Sequence, residues 1–228
     1  MFGIDIREHD DRYAYTEEWA TIVTRIWLED EPFDFKGKYF DLKGVESRPK
    51  PYFGDRPMLV SAGNSPVGRA FALKHADCVF IGVSEIDPLV PVISEMRKAA
   101  PAPRMFFGCG NMICRPTPKE AQEYYHYLVH EMGDWSAAEH GMEIRLKGKA
   151  SSAQQSTHTE ERMIAATGTY PLVGGYDEVV DQFRRMSEAG LDGFAFGMVN
   201  YIDDFPALRD EILPRMERLG LREAHRQA

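Results

Sequence analysis

The sequence predicts a parallel α/β fold, and three observations predict it. Short apolar runs end in glycine or other small residues, amphipathic stretches follow those runs, and the two alternate regularly from Pro57 onward. Four strand-helix units are expected, with strands at Met58-Leu59-Val60, Asp77 to Gly82, Arg104 to Ile113 and Phe194 to Val199. Right-handed crossovers place ligand sites at the carboxyl ends of such strands, where Gly63 to Ser65, Gly82 to Ser84, Gly110 to Asn111 and Val199 to Tyr201 fall. Four units make either a small open sheet or half of an eight-unit (β/α)8 TIM barrel. The opening run Met1 to Ile6 has no capped element behind it, which favours the C-terminal half of a barrel.

The 228 residues support one sizeable core, with 43% hydrophobic and 28% charged residues in an ordinary globular balance. One domain over 1–228 is the expectation. A formal net charge of -9 argues against nucleic acid or an anionic membrane as the main partner, because such surfaces are met by concentrated Lys and Arg. Cys78, Cys109 and Cys114 are odd in number and lack metal-ligand spacing, so no disulfide framework and no zinc site is expected, and a reducing cytoplasm is. No apolar run approaches the roughly 20 residues a bilayer crossing needs, and no signal-peptide pattern is present.

Each element has its own justification. Tyr15, Trp19, Ile22, Val23, Ile26 and Trp27 recur at three-to-four spacing, predicting an amphipathic helix over Asp11 to Leu28. Alternation on either side of a Lys-Gly pair predicts a small hairpin over Phe33 to Leu42, outside the main sheet. The proline-punctuated Val45 to Phe53 reads as an extended connector. Helices are expected from about Pro66 to His75 and Asp87 to Ala100. The strand over Arg104 to Ile113 carries Gly108 and Gly110, a sign of close packing or a bulge. Thr117-Pro118-Lys119-Glu120 is a capping-box helix start, running to about Met132. Gly133 to Tyr170 breaks the rhythm and reads as a mobile, functional insertion, with Ser151 to Thr157 its least core-like part. Helices over Tyr176 to Ala189 and Asp203 to Leu219 close the chain, Gly220 stopping the last.

Pro57 to Gly68 concentrates the candidate chemistry. Ser61-Ala62-Gly63-Asn64 turns sharply after the strand, Ser65 is placed to cap the next helix, and Pro66 suits its first position. Open amides at a helix start favour an anion, a cofactor phosphate being the natural guest, although a capped strand-to-helix turn needs no ligand. Arg12 and Tyr13 lie at another helix start, where a cation beside free amides calls for an anion; the alternative is a surface pair with Asp10 or Asp11. Glu123, His126 and His130 share a helical face, but without a matching carboxylate helix they read as a solvated or packing face, so no metal is expected. Gly108-x-Gly110 and Gly174-Gly175 are too short for a dinucleotide fingerprint. His75 reads as a helix-end histidine, and methionines such as Met105, Met112 and Met198 as core filler.

Arg12-Tyr13, Asp34-Phe35-Lys36-Gly37-Lys38-Tyr39-Phe40, Arg48-Pro49-Lys50-Pro51, Ala62-Gly63-Asn64-Ser65, Ala76-Asp77 and Leu172-Val173-Gly174, in this order, resemble the later part of the bacterial luciferase-like flavin monooxygenases. The nearest members in pattern are the pyrimidine, alkanesulfonate and dimethylsulfone monooxygenases. The resemblance implies a (β/α)8 barrel that binds reduced FMN (FMNH2), supplied by a separate NAD(P)H-dependent flavin reductase. It implies that O2 is used through a flavin (hydro)peroxide to oxidise a small organic substrate. The family's flavin-phosphate residues fall on Arg12, Tyr13 and Ser65, with Gly63 allowing close approach. No catalytic residue is assigned.

Two departures shape the expectation. Family members place four strand-helix units before the segment that Met1-Phe2-Gly3 resembles, so the chain reads as a C-terminal part that works as a homo-oligomer or paired with a missing N-terminal half. The arginine of the alkanesulfonate enzymes is replaced by Ala165 to Pro171, which argues against a sulfonate. The rival readings are a deazaflavin-dependent oxidoreductase of the same fold and a non-catalytic fragment or partner subunit.

Overall fold

The computed structural model describes residues 7–52, 54–147 and 160–224. The Met1 to Ile6 run, the Ser151 to Thr157 stretch and the end of the Arg/His-bearing tail lie outside them. The chain divides into two compact units, Met1–Val79 with Pro101–Arg104, and Phe80–Ala100 with Met105–Ala228.

In the first unit, α1 (His9–Leu28) carries Asp10 and Asp11 in its first turn, complementing the helix dipole, and buries Ala20 and Ile22. Its carboxyl end is closed by Lys50, whose Nζ donates to Ile26 O at 2.7 Å and Glu29 O at 2.5 Å. That contact gives the Arg48-Pro49-Lys50-Pro51 connector a structural task. The hairpin forms as expected, β1 (Phe33–Lys36) pairing antiparallel with β2 (Asp41–Val45) in a sheet of its own. Its turn docks on α1 through Glu18, whose carboxylate accepts from the backbone N–H groups of Lys38, Tyr39 and Phe40 at 2.7, 3.0 and 3.3 Å. Gly37 is needed there, because a Cβ would collide with the Glu18 carboxylate.

The first strand-helix unit follows: β3 (Val60–Ser61), α2 (Pro66–His75) and β4 (Cys78–Phe80), with Val60 paired to Cys78 and Ser61 to Val79 in parallel. Asp77 anchors the strand entrance by accepting from Arg56 Nη2 at 2.6 Å and Leu59 N at 2.8 Å. The Met58-Leu59-Val60 run reads as a buried strand, yet Met58 is 60% and Val60 49% exposed. β3 is an edge of this unit with only β4 beside it, so its apolar side chains find no second layer among the described residues.

The second unit is built on β5 (Met105–Arg115). Its register with β6 and β7 is unbroken: β6 (Tyr170–Gly175) pairs along Gly110 to Arg115, and β7 (Gly193–Met198) along Phe107 to Met112. Close packing, not a bulge, is therefore the role of the two glycines. A Cβ on Gly108 would lie 2.7 Å from Val83 Cγ2, and one on Gly110 would collide with the Tyr170 carbonyl. Around these strands lie α3 (Leu89–Ala99), α4 (Pro118–His126) with a π-helical turn at Tyr127–Glu131, α5 (Trp135–Lys147) and α6 (Glu160–Ala166). They are followed by α7 (Tyr176–Glu188), α8 (Tyr201–Ala207) and α9 (Leu213–Arg218), the last two joined by a second π-helical turn, Leu208–Ile212. Phe106, Ile93, Ile113, Leu172, Met186 and Ile212 are the largest fully buried side chains. Asp192 ties the start of β7 to this core by accepting from Phe106 N and Arg97 Nη2, both at 2.8 Å.

The expected strand count changes. Four parallel strands become five, the extra one being β6, whose Tyr170-Pro171-Leu172-Val173-Gly174-Gly175 carries a proline and two glycines that local preference keeps out of strands. Pairing with β5 and burial of Leu172 override that preference. Within Gly133 to Tyr170, the described residues form α5 and α6, and α6 contributes Ala165 and Ala166 to a cluster with Ile113 and Val129. The described strands close no barrel. Among the described residues no helix is long and apolar enough to cross a membrane.

Candidate functional site

The turn after β3 builds the site. Ser65 is extended at φ −71°, ψ 160°, and its Oγ accepts from Gly68 N at 3.1 Å, with Pro66 opening the helix. This is the cap that the Ser-Pro pair calls for. Gly63 and Gly68 face one another at close range. A Cβ on Gly63 would lie 2.6 Å from Gly68 O, and one on Gly68 would lie 3.0 Å from both Gly63 Cα and Ser65 Oγ. The same position on Gly68 is only 2.5 Å from Tyr13 Oη, so the α1 phenol reaches the first turn of α2.

Tyr13, Gly63 and Ser65 are thus brought together, and the hydroxyl of Tyr13 has no hydrogen-bond partner among the described residues. Arg12 is placed differently. Its guanidinium is exposed and makes no ion pair among the described residues, its backbone alone bonding to Glu8 O and Thr16 Oγ1. The pairing with Asp10 or Asp11 does not occur: Asp10 takes His9, while Asp11 takes Lys38, Tyr39 and Arg7. Lys38 and Tyr39, hydrogen-bonded to Asp11, hold its carboxyl far below the usual range, so this network keeps its charge neutralised.

Gly68 and Phe71 are the residues that sequence reasoning left without a role. A glycine in the first turn of a helix costs stability and so marks a close approach, which is the signal that could have found Gly68. Phe71 gave no such signal; its ring lies 5.9 Å from Tyr13 and 4.9 Å from His75. His75 ends α2 as expected, with burial pushing its imidazole down and Glu17 3.7 Å away. The rings of His126 and His130 meet at 4.7 Å, tilted by 39°, where α4 gives way to the π-helical turn, and no group of three metal-ligating side chains occurs among the described residues.

Two hydroxyls around two glycines at the positive end of α2 can hold one small anion, such as a terminal phosphate. The glycine cradle leaves room for backbone approach, and the phenol and serine offer donors, so the residues present fit a nucleotide-type phosphate.

Residues 1–193 match the family described as luciferase-like monooxygenase. A pyrimidine monooxygenase of Bradyrhizobium sp. is 37% identical over 204 residues, spanning 85% of this chain and 54% of that protein. An FMNH2-dependent dimethylsulfone monooxygenase of Pseudomonas fluorescens is 21% identical over 220 residues, 93% of this chain and 60% of that one. Among solved structures, EDTA monooxygenase from Chelativorans sp. BNC1 superposes with a TM-score of 0.77 at 20% identity, covering 96% of this chain and 62% of that chain. The chain spans less than two thirds of the length of each.

Proposed function

Because the chain belongs to the luciferase-like monooxygenase family, we propose that it is the C-terminal part of a two-component monooxygenase. In this reading the whole protein takes reduced FMN from an NAD(P)H-dependent flavin reductase and uses O2 to oxidise a small organic molecule. The five parallel strands then belong to the later half of a (β/α)8 barrel forming one domain, and residues 133–170 to an insertion at its substrate side. The single observation that carries the reading is the convergence of Tyr13 Oη and Ser65 Oγ over Gly63 and Gly68 at the start of α2.

Bound there, reduced FMN would supply the oxygen-activating chemistry. The chain's own residues hold and orient it. Tyr13 and Ser65 donate hydroxyl hydrogen bonds to the phosphate, the start of α2 adds its dipole, and Gly63 lets the Gly68 backbone pack closely beside Ser65. Arg12, exposed and unpaired among the described residues, adds a long-range positive charge and can swing onto the phosphate.

Isothermal titration of the chain with FMN and with riboflavin, which lacks the phosphate, tests the seat. Ser65→Ala, Tyr13→Phe and Arg12→Ala should each weaken FMN by about 1–3 kcal/mol and leave riboflavin unchanged. Equal losses for both ligands, or unchanged FMN affinity, would reject the assignment.

A further inference from the structure

The seam between α1 and α2, wholly within the first unit, contains a buried polar atom without a counterpart. Nε2 of His75, at the end of α2, is fully buried and has no hydrogen-bond partner among the described residues. Glu17 Oε1 of α1 lies 3.7 Å away, too far for a hydrogen bond, and is already taken by Lys74 Nζ. The other charged groups facing the ring are cations. Lys74 stands beside it on α2, and Arg104, from the segment leading into β5, donates to Leu73 O at 3.0 Å and Lys74 O at 3.2 Å. A proton on His75 would therefore put a third positive charge around one occupied carboxylate. Burial pushes the imidazole below its ordinary value, so the docked helices take the neutral ring and water takes the charged one.

His75 is also the far end of a row of rings. Phe71, one turn earlier on α2, has its ring centre 4.9 Å from that of His75 and 5.9 Å from that of Tyr13. Tyr13 in turn packs on the first turn of α2, where a Cβ on Gly68 would lie 2.5 Å from its Oη. The row thus runs from the capped start of α2 at Ser65 to its carboxyl end. The His75 side chain keeps 16% of its surface in water, so rotation about its own bonds carries the ring outward while the helix stays intact. Phe71 then loses a neighbour, and Tyr13 loses its backing.

We propose that His75 is a proton-operated latch on the anion seat: neutral, it holds Phe71 and Tyr13 against α2, and protonated, it swings to water and lets Tyr13 loosen from Gly68 and Ser65. The inference names a regulation of that seat and rests on the phosphate reading only for the identity of what Tyr13 releases. An anion held by Tyr13 favours the docked, neutral state, so the anion and the proton oppose one another. Acid then weakens the seat beyond what protonation of the anion itself accounts for.

The test follows Tyr13 by NMR in the full chain carrying ring-labelled tyrosine, without flavin. A His9→Gln background is used, because the His9 ring lies 5.3 Å from Tyr13 on the other side. The Tyr13 signals, assigned by their loss in Tyr13→Phe, should shift between about pH 7.5 and about pH 5.5. His75→Gln, which stays neutral, should hold them fixed, and Phe71→Leu should shrink the shift by breaking the row. Over the same range FMN affinity should fall at least about threefold further in the parent than in His75→Gln, the equivalent of about half a pKa unit. The second proton of the phosphate affects both proteins alike. Tyr13 signals that stay fixed in the parent or shift equally in His75→Gln, or equal losses of FMN affinity in the two proteins, would overturn the latch. Absence of FMN binding at either pH would instead sink the phosphate seat, while the Tyr13 signals still decide the latch.

Discussion

Gly68→Ala puts the convergence of α1 and α2 to a direct stability test. In a helix the exchange gains up to about 1 kcal/mol of propensity. Here the added methyl would stand 2.5 Å from Tyr13 Oη and 3.0 Å from both Gly63 Cα and Ser65 Oγ. The first distance is about 1 Å inside an ordinary contact of roughly 3.5 Å, and overpacking of this kind costs about 1–3 kcal/mol. The net expectation is a loss of about 0.5–2 kcal/mol. In a Tyr13→Phe background the hydroxyl is gone while the two 3.0 Å contacts remain, so the cost should fall by about 1 kcal/mol. Urea unfolding followed by circular dichroism measures all four members of this cycle, a 1 kcal/mol change moving the midpoint by about 0.5 M for an m-value near 2 kcal/mol/M. If Gly68→Ala proved as stable as the parent, or if the two substitutions were strictly additive, the packing of Tyr13 on Gly68 would be refuted.

Three further outcomes are expected. Asp204 is 7% exposed and accepts from Arg115 Nη1 at 2.9 Å and Asn200 N at 3.1 Å; Asp204→Ala should cost about 3–5 kcal/mol in urea melts because Arg115 loses its buried partner, and a loss under about 1 kcal/mol would contradict the pairing. Burial pushes the His75 imidazole below its ordinary value of 6.5, against the opposing pull of Glu17. The unfolded chain then binds more protons just below that value, so stability should fall as pH drops through 6.5, and His75→Gln should flatten that fall relative to the parent. An identical pH slope in both proteins would count against a buried neutral imidazole. Cys114, pushed up to about 12 by burial, should resist thiol reagents at pH 8 until the chain unfolds, whereas prompt labelling of the native protein would show that it is not buried.

Much of the site was legible because it depends on local chemistry. Ser65-Pro66 specifies a capped helix start whatever surrounds it, and Thr117-Pro118-Lys119-Glu120 likewise forms its full capping box. The amphipathic period of α1 and the hairpin alternation are also properties of short windows, and both formed as read. What escaped is non-local. β6 is a strand because β5 offers it a ladder, not because Pro171, Gly174 and Gly175 favour extension. The exposure of Met58 and Val60 depends on which layer covers β3, and a window of apolar residues cannot report that.

The sequence alone therefore determined the alternation of strands and helices and the caps, Ser65-Pro66 among them, since each follows from periodicity or from a side chain bonding to backbone within a few positions. Only the tertiary structure decided which of those residues meet. Tyr13 reaches Gly68 across more than fifty residues of chain, and Asn111 faces Gly197 across more than eighty, because parallel pairing and helix packing join segments that no local pattern connects. It also separated Arg12 from its neighbours, as Asp11 was already held by Lys38 and Tyr39. A close contact excludes a Cβ, so the glycines at 63, 68 and 197 become informative once the partner that needs the space is in place.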